Sequence, residues 1–83
     1  MEILIQQIYD IELDRQGSPE FPNVKTGLHY SNTDKFLILT GNVHSSYHRC
    51  LAIGAGVCLV KKMGGKKGLR GLISEIEVKL EDN

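Results

Sequence analysis

The chain contains no tryptophan, only two cysteines and two prolines, and no apolar run longer than the eleven residues from Cys50 to Val60. Each shortage excludes something. Without Trp, and with only Tyr9, Phe21, Tyr30, Phe36 and Tyr47 as aromatics, a hydrophobic core must rest on Ile, Leu and Val. Eleven apolar residues fall far short of the roughly 20 that a membrane-spanning helix needs. Two cysteines eight positions apart, Cys50 and Cys58, are too few for a disulfide scaffold, and reduced thiols in the cytoplasm are the expectation. Met1-Glu2-Ile3-Leu4-Ile5-Gln6 lacks the basic start of a secretory signal.

Acidic residues are missing from the middle of the chain altogether. Residues 35–70 hold no Asp or Glu and seven bases: Lys35, Arg49, Lys61, Lys62, Lys66, Lys67 and Arg70. The acids lie before and after this block, and the formal net charge is zero. Such blocks either cancel across neighbouring elements or form one positive surface.

What is present suits one small domain over residues 1–83, 41% apolar and 24% charged. A chain this short buries only about 60–65% of its unfolded surface, so its core is thin and association with a second copy would help it.

Along the chain, Ile3, Ile5, Tyr9, Ile11 and Leu13 alternate with polar residues, and residues 2–14 read as a strand. Both prolines and Gly17 fall in residues 15–24, which read as a loop. Residues 25–31 and 35–41 read as a hairpin turning at Ser31-Asn32-Thr33-Asp34, with Phe36-Leu37-Ile38-Leu39 as a central strand covered on both faces. Residues 69–80 read as a last strand, with Leu72, Ile76, Val78 and Leu80 on one side.

Residues 44–64 admit three arrangements. One is a single buried helix capped by Ser45 or Ser46, with Lys61 and Lys62 in its last turn and Gly64 or Gly65 as a left-handed stop. Tyr47, Cys50, Leu51 and Ala55 would then share a stripe. The second is a glycine loop before a short helix. The third is two strands bent at Gly54–Gly56, because each glycine costs a helix interior roughly 1 kcal/mol. Helix is the favoured content. The predicted fold is α+β, a small antiparallel sheet of about four strands with one covering helix; an all-β meander or small barrel is the alternative.

Candidate chemistry is sparse. Arg49, Lys61, Lys62, Lys66, Lys67 and Arg70 are the candidate ligand or polyanion contacts, with glycines between the lysines that would let phosphates approach. No aromatic lies in residues 61–70 to stack a base. His44, His48, Cys50 and Cys58 fall within fifteen residues, but their spacing matches no structural zinc pattern. Cys50 sits in an apolar run, where burial blunts a thiol nucleophile. Asp10, Glu12 and Asp14, and likewise Glu75 and Glu77, read as wet strand faces. No metal site and no resident cofactor are expected.

The stretch Val43-His44, then Arg49-Cys50-Leu51-Ala52-Ile53-Gly54, an apolar helix and the strand from Gly68 to Val78, resembles the acetyl-coenzyme-A-dependent N-acetyltransferase superfamily. In that family an Arg/Gln-x-x-Gly-x-Gly/Ala loop binds pyrophosphate through backbone N–H groups. Ala52 stands here at the first glycine, and the loop is one residue longer. The resemblance implies an acyl-coenzyme-A ligand and a transferase reading. The residues themselves point instead to a non-enzymatic interaction domain that self-associates and takes a protein or small-molecule partner. Polyanion or nucleic-acid binding through residues 61–70 is the other alternative, and no membrane association is expected.

Overall fold

A computed structural model describes residues 2–64 and 68–80. The elements run α1 (Glu2–Arg15), β1 (Val24–Ser31), β2 (Asp34–Val43), α2 (Ser46–Lys62) and β3 (Gly71–Val78). The fold is α+β, with three strands in the order β1-β2-β3. β1 pairs antiparallel with β2, and β3 pairs parallel with β2, so the sheet is mixed rather than antiparallel.

Residues 2–14 form a helix, not the expected strand. The half of the pattern that matters is Ile5, Ile8, Tyr9, Glu12 and Leu13, spaced as i, i+3, i+4, i+7 and i+8, which is one face of a helix. Those five turn inward, whereas Ile11, which an alternating strand would bury, is 61% exposed. The β-branched composition favoured a strand, but docking the helical stripe buries more apolar surface. The helix ends as a Schellman motif. Gly17, at φ 70°, allows Ser18 to donate its N–H to Leu13 O and Gly17 to donate to Asp14 O.

The hairpin forms where its turn chemistry places it. Ser31 pairs with Asp34, and Asn32 takes the left-handed φ of 55° that Asn tolerates well. β2 is central, as its apolar run requires.

Residues 46–62 are one continuous helix. Ser45 is the cap, its hydroxyl accepting from the His48 N–H at 3.1 Å. Lys61 and Lys62 do lie in the last turn, where the helix dipole favours cations. Its buried stripe is Ala52, Ala55, Gly56 and Leu59; Tyr47 and Cys50 face outward, contrary to the expected stripe. Gly64 does not take a left-handed conformation; the helix stops at Met63, and Gly65 lies outside the described residues. Gly56 is small for a reason: a methyl group there would stand 3.1 Å from Leu39 Cδ1 and 3.2 Å from Leu72 Cδ1. The glycine lets α2 lie close on the sheet.

α2 also explains the parallel strand. It returns the chain from the end of β2 to its start, so β3 must run in the same direction as β2. The Arg70 N–H to Lys35 O and the Lys79 N–H to Val43 O extend the ladder at both ends.

Both helices cover the same face. Tyr9, Leu13, Leu37, Leu39, Ala52 and Leu59 are essentially inaccessible between the layers. The Tyr9 hydroxyl donates to Ala52 O at 2.8 Å, and burial pushes its phenol pKa upward. The loop between α1 and β1 is built into the fold through Phe21. Its ring packs on the core and on His48, and its carbonyl accepts from the Val24 N–H.

Candidate functional site: the uncovered face of the sheet

Strand pairing decides which residues share each side of the sheet. Val24, Thr26 and Leu28 on β1 pair with Gly41, Leu39 and Leu37 on β2, which pair with Ile76, Ser74 and Leu72 on β3. This is the covered side, because α1 reaches Thr26 through Gln6 and α2 reaches Leu39 and Leu72 at Gly56.

The other side carries three cross-strand rows. His29, Phe36 and Gly71 form one row; Gly27, Ile38 and Ile73 the next; Lys25, Thr40 and Glu75 the third. Asn42 and Glu77 continue it. Neither helix lies on this side. Among the described residues, Phe36, Ile38 and Ile73 therefore make an apolar strip that belongs to no core cluster and stays part-exposed. The expectation that Phe36-Leu37-Ile38-Leu39 is covered on both faces thus holds for one face only. The two glycines sit low between their neighbours. A methyl at Gly27 would meet Ile38 Cγ2 at 3.4 Å, and one at Gly71 would meet the Phe36 ring at 3.5 Å.

The candidate basic residues do not converge. Arg49 is exposed in the first turn of α2 and Lys61 and Lys62 in its last, about 20 Å apart at 1.5 Å per residue. Arg70 stands beside Lys35 at the start of the sheet. Lys66 and Lys67 lie outside the described residues. Lys62 is engaged with Glu12, Nζ to Oε1 at 2.8 Å. Glu12 also accepts from Gln16 Nε2 at 3.0 Å, and Gln16 reaches Cys58 Sγ at 3.1 Å. Glu12 is thus a buried carboxylate tying α1 to α2, not part of a wet strand face with Asp10 and Asp14.

That pairing has a pH signature. The Lys62 ammonium, foremost, holds the Glu12 carboxyl below the usual carboxylate range. A group with a depressed folded pKa stabilises the fold above its unfolded pKa and loses that contribution as pH falls through the folded one. Melting temperature measured from about pH 6 down to about pH 2 is expected to fall more steeply for the native protein than for Glu12→Gln. Parallel curves would show that the pair contributes nothing.

No group of His, Cys, Asp or Glu able to hold a metal occurs among the described residues. His44 Nδ1 lies 3.3 Å from Lys79 O, and His48 packs between Phe21 and Tyr47. Cys50 and Cys58 are free thiols, Cys50 exposed. The Arg49–Gly54 stretch is helix, not a phosphate loop; its N–H groups are committed to the ladder that begins with Arg49 N–H to Ser45 O. Two clefts flank Phe21 and Pro22, one of about 120 Å³ against Val43, His44 and His48, the other of about 170 Å³ against Gln6, Asp10 and Lys25. Both fall short of the roughly 300–1,000 Å³ usual for small-molecule sites. No described helix is long and apolar enough to cross a membrane.

The open sheet face was not singled out by sequence reasoning. Its signal was the continuous run Phe36–Leu39, which announces two apolar faces in a chain with too few helices to cover both. No protein-family model, curated protein or solved structure matches this chain.

Proposed function

We propose that this chain is a non-enzymatic interaction domain that self-associates through the uncovered face of its sheet. The observation that carries the reading is the strip Phe36, Ile38 and Ile73 on the side opposite both helices. Three strands spaced about 4.8 Å and eight residues long at about 3.3 Å each present a face on the order of 14 by 26 Å. That is roughly 360 Å², less than half of the about 800 Å² per partner that a standard specific interface buries and in the range of weak, transient contacts. Association is accordingly weak and concentration-dependent.

Light scattering and sedimentation across roughly three decades of concentration test this. The native protein is expected to pass from monomer to dimer, and Ile38→Lys to stay monomeric with its circular dichroism and melting temperature nearly unchanged. A native protein that remains monomeric throughout overturns the reading. So does an assembly that survives Ile38→Lys, which would point instead to pairing along the free edge of β1 or β3. Polyanion binding is the less favoured alternative, since Arg49 and Lys61 occupy opposite ends of α2 and Lys62 has a carboxylate partner.

A further inference from the structure

Given the proposed self-association, we infer that two copies stack sheet on sheet about a twofold axis running along β2, each row of one copy meeting the same row of the other with β1 placed over β3. A twofold operation along the central strand leaves β2 over its own copy and exchanges the outer strands, while keeping every row at its own level. The three rows of the open face are self-complementary under this one operation.

In the middle row, Ile38 meets Ile38 of the second copy, and Ile73 projects over Gly27. In the next row, Phe36 meets Phe36, and His29 lies over Gly71. In the third, Lys25 lies over Glu75, twice by symmetry. At the outer strands large thus meets small in two rows, with Ile38 and Phe36 meeting their own copies at the centre, and positive meets negative in the third. Within one chain Lys25 and Glu75 flank Thr40 and stand about 9.6 Å apart, two strand spacings, so they do not pair directly. Among the described residues neither takes part in an ion pair. The perpendicular alternative, an axis in the plane of the face but across the strands, is less apt. It would set Lys25 over His29 and Glu75 over Gly71, leaving both charges without a partner.

The test is a charge exchange read by sedimentation equilibrium at low salt. Lys25→Glu and Glu75→Lys each set two like-charge contacts into the dimer, and each is expected to weaken dimerisation about tenfold or more. The double variant Lys25→Glu/Glu75→Lys restores opposite charges across the interface and is expected to recover to within about threefold of the native protein. Single variants that dimerise like the native protein, or a double variant no tighter than the singles, overturn the axis along β2. If Ile38→Lys nevertheless abolishes the dimer in that experiment, the face remains the docking surface and only the arrangement falls. A native protein that is monomeric at every concentration removes both.

Discussion

Gly41→Ala is expected to cost about 4 kcal/mol or more, a loss that places a single substitution among the exceptional cases. Gly41 sits near the end of β2 at φ 110°, a conformation that L side chains rarely adopt. A side-chain carbon added there would collide with the backbone carbonyl of Asn23, which cannot swing aside as a flexible side chain can. That carbonyl accepts the Asn42 N–H at 3.1 Å and so holds the entry to β1 against β2. Relieving the collision means giving up this hydrogen bond and the Val24–Gly41 pairing beside it. A domain of this size has roughly 4–12 kcal/mol of stability in all, so the variant is expected to be largely unfolded or close to it. Gly54→Ala is the control. A methyl there meets nothing within 4 Å, and removing a helix-interior glycine is expected to be neutral or to stabilise by up to about 1 kcal/mol. Chemical denaturation of the two variants against the native protein measures both. A Gly41→Ala variant within 1 kcal/mol of native, on the scale of an ordinary surface change, would show that the close approach of Asn23 is dispensable.

Leu39→Ala is expected to destabilise by about 2–5 kcal/mol, with a rescue that identifies the reason. Leu39 is fully buried on the central strand, and its Cδ1 fills the space beneath Gly56. Truncating it removes apolar burial and leaves a cavity directly under the helix. Alone, Gly56→Ala brings a methyl to 3.1 Å from Leu39 and 3.2 Å from Leu72, tighter than ordinary contact, so the gain in helix propensity is offset by crowding. With Leu39 shortened that crowding is partly relieved, and the new methyl enters the vacated space. In the Leu39→Ala background Gly56→Ala is therefore expected to restore about 1–2 kcal/mol, the sum of a buried methyl and a glycine removed from a helix interior. Strict additivity in the double-mutant cycle would mean that the two positions do not share a packing site.

Much of the local structure is legible in the residues. Ser31-Asn32-Thr33-Asp34 announces its turn because Asn tolerates the left-handed position that the hairpin needs. Ser45 and the lysine pair bracket α2 correctly, because caps and dipole act within a single turn. Phe36–Leu39 marks an apolar strand, and that strand is central in the sheet although only one of its faces is covered. α1 was legible too, in the spacing of Ile5, Ile8, Tyr9, Glu12 and Leu13, but its β-branched content and the partial alternation at Ile11 favoured the wrong period.

The sequence by itself determined the hairpin and its turn and the central strand, and it favoured the α+β class with some helix between β2 and β3. Tertiary structure alone decided the rest. β3 runs parallel to β2 because α2 packs back along the sheet, and no pattern within β3 encodes its direction. Glu12 and Lys62 meet across fifty positions, so neither the buried carboxylate nor the loss of Lys62 from the basic group is visible locally. The two helices dock on one face, and among the described residues that choice leaves Phe36, Ile38 and Ile73 outside the core and part-exposed. Which side of an apolar strand remains open depends on contacts between elements distant in sequence, and such contacts exist only in the folded chain.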